Sequence, residues 1–403
     1  MVAFPHGPFL VSLLFASVAA GAPECEEIGM LQASANPGSL MSVQGSDARP
    51  KTADEKEAEE LAKEYKRLEP LKAVAGLLAK AKFHCRHEST EQCLPTLKEY
   101  RLKIWPKIEA ELGKKLTMFE PTGLKSVDHV DPDWHPFYLQ VNLTGCRNRF
   151  TYMHVKQTPG KSILATLEKY AERDSIRRTM RDGKSVCNLE HKDGNRVAFA
   201  FVRNPLTRFV EAYGHMLTNA PTNAPKVKPG IQIVSGMSLL QKETSTARAR
   251  RFVENFLQGA GESLTGTLVP QSEYFAPVGD NCSIKVGVVV KEEKKQKEWK
   301  MLLEKKGCNA SEMPFLLKEV PRQSTHPLLF QTSSSLSSSS TTVMEEALSG
   351  KDGLAYLRAF CWFSLPDYFM LDYQLPEKCM ETDMSMVVDW AWTWKVVPTE
   401  NQQ

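Results

Sequence analysis

Residues Phe150 to Tyr170, FTYMHVKQTPGKSILATLEKY, join an apolar run to a Pro-Gly-Lys-Ser turn and a restart with helical spacing. Ile163, Leu164, Leu167 and Tyr170 recur at the spacing of one helical face, so the stretch predicts a strand, a tight turn and a helix. Such a unit directs backbone N–H groups and the positive end of the helix dipole at one point. It is therefore typical of a phosphate or sulfate site.

The turn offers further groups to an anion. Lys156 and Lys161 bracket it, and Thr158 and Ser162 supply hydroxyls. A Walker A loop that ends at Ser162 needs glycine where this chain has Val155, so that motif is only half matched. An ordinary strand-to-helix turn without a ligand is the structural alternative.

A second strand and helix are predicted at Arg196 to Met216, RVAFAFVRNPLTRFVEAYGHM. The unbroken apolar run from Val197 to Val202 favours a central parallel strand that is covered on both faces. Arg203 follows it, with Asn204 as the predicted N-cap and Pro205 at the first helical position. Open α/β sheets bind ligands at this end of their strands, and a guanidinium can bind a phosphate bidentately. Arg203 is thus a candidate phosphate ligand, and a structural arginine that caps the helix is the alternative.

Residues 145 to 320 alternate apolar runs with helical patterns, as βαβ units do. The sequence therefore predicts an α/β fold, with a P-loop-like parallel sheet flanked by helices and an N-terminal helical stem. In the stem, Thr52 and Glu55 form a capping box for a charged helix. We expect that helix to end near Pro70, before a second helical pattern from Leu71 to Lys82.

The N-terminus predicts entry into the secretory pathway. An apolar stretch from Phe9 to Ala20, followed by small residues, is typical of a signal peptide over residues 1–22. An uncleaved signal anchor is the alternative, and only then do we expect contact with a membrane. We expect residues 23–82 to form a disordered and helical stem, and residues 83–395 to form the folded domain, with a disordered serine-rich insertion at 331–342.

Nine cysteines in such a chain predict disulfides, and the odd count leaves at least one thiol over. The cluster from His84 to His87 has no matching second half, so we expect no metal site. Sequons at Asn142, Asn281 and Asn309 predict N-glycosylation. A net charge of +3 gives no general attraction to polyanions, and no nucleic-acid partner is expected.

Together these segments resemble the PAPS-dependent sulfotransferases of the secretory pathway, in particular the carbohydrate sulfotransferases. The stretch from His154 to Ser162 is similar to the family loop that holds the 5′-phosphosulfate of the donor. The stretch from Phe201 to Tyr213 is similar to the strand and helix that hold its 3′-phosphate. Pro270 to Phe275 and Cys361 to Cys379 look like later family segments in the same order, and the resemblance implies a disulfide between Cys361 and Cys379.

The resemblance implies PAPS (3′-phosphoadenylyl sulfate) as co-substrate, without a metal. Three positions depart from the family pattern: Gln157 replaces a loop lysine, Pro159 replaces a glycine, and Glu211 replaces a serine on the 3′-phosphate. Sulfuryl transfer needs a cation at the leaving oxygen, so we expect Lys156 or Lys161 to be catalytic. The implied donor-binding residues are Lys156, Gln157, Thr158, Pro159, Gly160, Lys161, Ser162, Ile163, Arg203, Arg208 and Glu211.

His191, between the two donor segments, is the candidate base for the acceptor proton, because imidazole titrates near neutral pH. Glu190 is the other candidate, and a histidine in a surface loop is the alternative. Arg173, Arg177 and Arg181 recur every four residues, which predicts a stripe on one helical face that binds an acidic glycan. A solvated face is the alternative there.

The sequence thus predicts transfer of a sulfuryl group from PAPS to a hydroxyl or amine of a glycan or glycoprotein, in the Golgi lumen or after secretion. A catalytically inactive relative that binds PAP or a sulfated glycan is the alternative, based on Gln157 and Glu211. A P-loop kinase is a further alternative, which needs Mg²⁺ and an acidic strand that the sequence lacks.

Overall fold

The structure is a computed structural model, and it describes residues 52–86, 92–118, 137–155, 158, 160–180, 196–218, 245–258, 269–276, 286–316, 342–380 and 383–394. The chain divides into two units, Met1–Lys56 and Glu57–Gln403. Of the first unit, only residues 52–56 are described. The predicted signal peptide at 1–22 and residues 331–341 of the predicted insertion lie outside the described residues.

The second unit contains a five-stranded mixed sheet in the order β3-β1-β2-β4-β5. The strands are β1 (Phe137–Asn142), β2 (Arg149–Met153), β3 (Arg177–Met180), β4 (Arg196–Val202) and β5 (Val288–Lys291). β4 lies between β2 and β5 and is parallel to both. The α/β class and the parallel pairing of these three strands are confirmed.

The prediction of a parallel sheet is wrong for β1, which runs antiparallel to both β2 and β3. The reason is the connection between β1 and β2. It spans only residues 143–148, with Gly145 at a φ of 74°, and a parallel pair would need a crossover of about a dozen residues. A short hairpin is the only pairing that this connection allows.

Helices surround the sheet. They are α1 (Ala53–Arg86), α2 (Cys93–Leu112), α3 (Gly160–Tyr170), α4 (Pro205–Thr218), α5 (Ser245–Leu257), α6 (Lys295–Lys305), α7 (Gly350–Met370), α8 (Glu377–Met380) and α9 (Asp383–Thr393). Two 3₁₀ turns, Gln271–Phe275 and Glu292–Lys294, complete the regular elements used below. The predicted helices after the Pro-Gly-Lys-Ser turn and after Arg203 are both confirmed as α3 and α4. No helix in the described part of the chain has the length and apolarity that a bilayer crossing requires.

Both faces of β4 are covered, as its unbroken apolar sequence predicts. Phe199 and Phe201 pack on one face with side chains of α3 and α6, including Ile163 and Trp299. On the other face, the cluster that contains Ala200 and Val202 includes side chains of α1, α2 and the 3₁₀ turn Gln271–Phe275. The carboxyl end of β4 is therefore held from two sides by packed helices.

α1 begins at the predicted capping box, because the Thr52 N–H donates to Glu55 Oε2 (2.8 Å) and the Glu55 N–H donates to Thr52 Oγ1 (3.3 Å). The prediction that this helix ends near Pro70 is wrong, since Pro70 lies inside α1. Leu71 and Leu78 beyond it are buried in the core with α2 and α7, and this packing outweighs the lost hydrogen bond. The stem boundary predicted at residue 82 thus falls within a core helix.

Three disulfides link elements of the described residues. Cys85–Cys93 joins α1 to α2, and Cys146–Cys308 joins the β1–β2 hairpin to the segment after α6. Cys361–Cys379 joins α7 to α8 and confirms the pair that the resemblance implies. Cys25, Cys187 and Cys282 lie outside the described residues.

We predict that Pro70→Ala stabilises the protein by about 1–2 kcal/mol. Pro70 is exposed in a helix interior, where proline is about 3 kcal/mol less favourable than alanine. Replacing proline also raises the conformational entropy of the unfolded chain, which reduces the gain in stability by about 1 kcal/mol. Denaturant unfolding measures the change. Pro106, also exposed and inside a helix, is the matched site and should give the same sign. A loss of stability in both variants would show that the proline rings themselves support the helices.

Candidate functional site

The candidate site lies where β2 and β4 end. The two strands are parallel neighbours, with Met153 of β2 opposite Ala200 of β4. β2 leads into the turn before α3, and β4 leads through Arg203 into α4. The N-terminal ends of two helices therefore meet the same edge of the sheet, which is where open α/β sheets bind ligands.

His154 is the first residue of the site, directly after β2. Its Nδ1 lies 2.9 Å from the hydroxyl of Tyr152, a fully buried side chain whose pKa is raised by burial. Its ring lies against Gly160, the first residue of α3, where an added Cβ would lie 2.6 Å from His154 Cε1. His154 thus fixes how closely the start of α3 approaches β2.

The predicted loop residues divide into described and undescribed ones. Thr158 donates its hydroxyl to the Val155 carbonyl at 2.6 Å, and Ile163 is buried in the core, so the Ile163 side chain is not available to a ligand. Ser162 is partly exposed in the first turn of α3. Outside the described residues lie Lys156, Gln157, Pro159 and His191, together with the side chain of Lys161. Their roles stay predictions.

Arg203 is buried except for 12% of its side chain. Its Nη1 pairs with the carboxylate of Glu211, and its Nε pairs with the carboxylate of Glu292. These two ion pairs are compatible with the alternative of a structural arginine, but Arg203 is not the cap of the helix. Asn204 caps α4 instead, because its Oδ1 accepts the N–H groups of Leu206 (3.1 Å) and Thr207 (3.3 Å), as the sequence predicts.

The backbone of Arg203 is held by the side chain of Gln271. The Arg203 N–H donates to Gln271 Oε1 (3.0 Å), and Gln271 Nε2 donates to the Arg203 carbonyl (2.7 Å). Gln271 is itself fully buried, and its N–H donates to Asp367 Oδ2 (2.8 Å). The other oxygen of Asp367 accepts the Ser272 N–H (2.7 Å). Sequence reasoning assigned no role to Gln271 or Asp367, although a lone Asp in the apolar stretch of α7 is a signal.

Burial raises the pKa of Asp367, while its hydrogen bonds with Ser272 and Gln271 and the nearby Arg208 oppose the rise. Arg208 is the most buried charged side chain among the predicted donor-binding residues that the structure describes. It is 5% exposed, its guanidinium carbon lies 5.9 Å from the ring of Tyr274, and burial lowers its pKa. Arg208 thus forms part of the buried support behind Arg203.

A cavity of about 610 Å³ opens beside Arg203, and it is lined by Arg203 itself and by charged and polar residues of α4, the 3₁₀ turn Glu292–Lys294 and the start of α6. They are Arg203, Thr207, Glu211, Glu292, Glu293, Lys294, Lys295, Gln296 and Lys297. Sequence reasoning did not single out Glu292 or Glu293. Glu293 accepts the Asn204 N–H (2.7 Å) and the Tyr373 hydroxyl (2.8 Å), and burial, with Glu293 nearby, raises the pKa of Tyr373.

The predicted arginine stripe is wrong as a helical face. α3 ends at Tyr170, and Arg173 lies in an exposed turn beside Asp174, whose φ is 58°. Arg177 begins β3, opposite Gln140 of β1, because strand pairing overrides the four-residue spacing. Arg181 lies outside the described residues. Within the described part of the chain, no group of three His, Cys, Asp or Glu residues could hold a metal ion.

A family model described as the sulfotransferase family matches residues 129–350, more than half of the 403-residue chain. The chain belongs to the sulfotransferase family. The matched region contains β1 to β5 and the whole cavity beside Arg203, and the mixed α/β fold is consistent with the family. No curated protein and no solved structure gives a significant match.

Sulfotransferases of this family normally use PAPS as the sulfate donor. The described residues fit such an anion in two respects. α3 begins at the sheet edge where β2 and β4 end, and the guanidinium of Arg203, at the same edge, is a group that binds phosphate oxygens once a carboxylate partner is displaced. Arg203 and the first turn of α3 are the groups that would hold the donor, since the first N–H groups of α4 already donate to Asn204.

We predict that Gly160→Ala destabilises the protein by about 1–3 kcal/mol, because the new methyl group overlaps the His154 ring. Thermal unfolding measures the loss. Gly287→Ala is the matched control, since its nearest neighbour, the Ala198 carbonyl oxygen, lies 3.9 Å from the added Cβ. Adding His154→Ala to Gly160→Ala should restore part of the stability. Equal losses at Gly160 and Gly287 would contradict the contact.

Proposed function

We propose that the protein transfers a sulfuryl group from PAPS to a hydroxyl or amine of a glycan or glycoprotein in the secretory pathway. One observation carries the proposal. The parallel pair β2 and β4 brings the start of α3 and the guanidinium of Arg203 to one edge of the sheet. A donor with a phosphosulfate at one end and a phosphate at the other needs two such anion sites side by side.

The two sites divide the donor between them. In the proposal, the first turn of α3, with Ser162, holds the 5′-phosphosulfate, since the positive end of the helix dipole favours an anion. Arg203 holds the 3′-phosphate, with Thr207 of α4 in the wall of the same cavity. His154, Gln271 and Asp367 act behind these groups, because they position the backbone at Gly160 and at Arg203.

PAPS supplies the sulfuryl group and a nucleotide leaving group. Catalysis of this kind rests on in-line positioning and on a cation at the leaving oxygen. Lys156 or Lys161 supplies that cation in the proposal, because Gln157 carries no charge. His191 takes the proton from the acceptor, with Glu190 as the second candidate.

The compartment and the acceptor are part of the proposal. Three disulfides support an oxidising compartment, and the apolar stretch before residue 22 supports entry through a signal peptide. We infer the Golgi lumen or the extracellular space. The glycan acceptor rests on the resemblance to the carbohydrate sulfotransferases.

A second candidate function has one observation in its favour. The guanidinium that would hold a phosphate is paired with Glu211 and Glu292. A catalytically inactive relative that binds PAP weakly, or binds a sulfated glycan, would show the same arrangement. Transfer of labelled sulfate from PAPS to a panel of glycans, by the purified disulfide-bonded protein, decides between the two functions. Transfer to no acceptor, by a protein that still binds PAP, would favour the inactive relative.

We predict that PAP raises the melting temperature of the wild-type protein and that Arg203→Ala removes most of this shift. A ligand that binds only the folded state stabilises it by mass action, and the variant lacks the cation that holds the phosphate. Differential scanning fluorimetry measures both proteins. Arg173→Ala, in an exposed turn, is the control and should keep the wild-type shift. Equal shifts in the wild type and Arg203→Ala would remove Arg203 from the donor site.

We also predict that either Lys156→Ala or Lys161→Ala lowers kcat by about 100- to 1000-fold, the usual effect of losing one transition-state donor. The labelled-sulfate assay measures the rates. Lys300→Ala, exposed on α6, serves as the control. Gln157→Lys should change the rate little. If Gln157→Lys instead creates activity in an inert wild-type protein, the second candidate function is right.

A further inference from the structure

The inference starts from the charges on Arg203. Its guanidinium pairs with two carboxylates, and one positive and two negative charges leave this group of three with an excess negative charge. Arg203 and Glu292 are largely buried, with 12% and 14% of their side chains exposed. Glu211 is half exposed, at 51%, and so of these two carboxylates it faces the cavity more openly.

Other polar groups of the site contact Glu292 and Glu293. Lys295 Nζ lies 3.8 Å from Glu292, so that carboxylate is shared between two cations. Glu293 is held by the Asn204 N–H and the Tyr373 hydroxyl. Lys294 and Lys297 line the same cavity. The charge of Glu211 is thus offset by Arg203 itself. Glu211 occupies the Nη1 group of Arg203, which is one of the donors that a phosphate would use.

A phosphate monoester carries about −1.5 to −2 charges at neutral pH. To bind Arg203 through Nη1 it must displace the Glu211 carboxylate, and on the other N–H groups of the guanidinium it lies beside that carboxylate and is repelled at short range. The same carboxylate attracts a free ribose hydroxyl, because the hydroxyl can donate a hydrogen bond to it. Dinucleotide sites use this distinction, with an acidic residue for a ribose hydroxyl and an arginine for a ribose phosphate.

We propose that Glu211 determines the donor specificity of the Arg203 site, and that its carboxylate removes the preference for a nucleotide with a 3′-phosphate over one with a free 3′-hydroxyl. The site therefore binds adenosine 5′-phosphosulfate about as tightly as it binds PAPS, the 3′-phosphorylated form. This inference rests on the proposed function, since it takes Arg203 as the donor site.

Screening by solvent determines how strongly Glu211 changes the selectivity of the site. Because Glu211 is half exposed, solvent screens its repulsion, and one such charge changes selectivity by about tenfold rather than abolishing binding. Glu211→Gln keeps the shape of the side chain and removes the charge. Glu211→Ser is the second variant, which shortens the side chain as well, and thermal unfolding checks that both variants fold.

The experiment titrates the disulfide-bonded protein with PAP and with adenosine 5′-phosphate by calorimetry, and compares the ratio of the two Kd values. We expect wild-type affinities within about threefold of each other, and a roughly tenfold shift toward PAP in Glu211→Gln and Glu211→Ser. Glu304→Gln, exposed on α6 and paired with Lys300 at 3.7 Å, is the control and keeps the wild-type ratio.

Two results would overturn the inference, and they can be told apart. If both nucleotides bind and the ratio is unchanged in the Glu211 variants, Glu211 does not set specificity, while the proposed donor site stands. If neither nucleotide binds to the wild type or to the variants, the donor site itself is wrong and the inference fails with it.

Discussion

The bidentate hydrogen bonding between the Gln271 amide and the backbone of Arg203 is the constraint on which the candidate site depends. The β4–β5 ladder ends at Val202, opposite Lys291, so the peptide groups of Arg203 have no strand partner there. Gln271 supplies both a donor and an acceptor, as a neighbouring strand would, and buried backbone groups need such partners. Asp367 of α7 holds Gln271 in turn, and Asp367 lies beyond the matched region 129–350. The geometry at the sheet edge therefore depends on a helix outside that region.

The charges around Arg203 then determine which ligands the candidate site can bind. A guanidinium fixed at a strand end is a general anion ligand, and its selectivity comes from the charges around it. Here the carboxylates of Glu211 and Glu292 pair with the guanidinium of Arg203, and the lysines among residues 292–297 line the cavity beside it.

The local parts of this arrangement could be predicted from the sequence. β2, α3, β4 and the Asn204 cap follow from apolar runs, helical spacing and capping residues, which act over a few neighbouring positions. Long-range packing could not be predicted. It keeps Pro70 inside a helix, places Arg177 in a strand, and brings Glu292, Gln271 and Asp367 to Arg203 from 68 or more positions away. Such contacts leave no periodic signal in the sequence.

The Cys146–Cys308 disulfide has a consequence for synthesis of the chain. Its two cysteines are 162 residues apart, whereas Cys85 and Cys93 are 8 apart. At roughly 5–20 residues per second, the ribosome delivers Cys308 on the order of 8–32 s after Cys146. During that interval the thiol of Cys146 can form disulfides with other cysteines of the nascent chain. Correct pairing with Cys308 therefore depends on a disulfide isomerase, or on assembly of the sheet only after Cys308 has been synthesised.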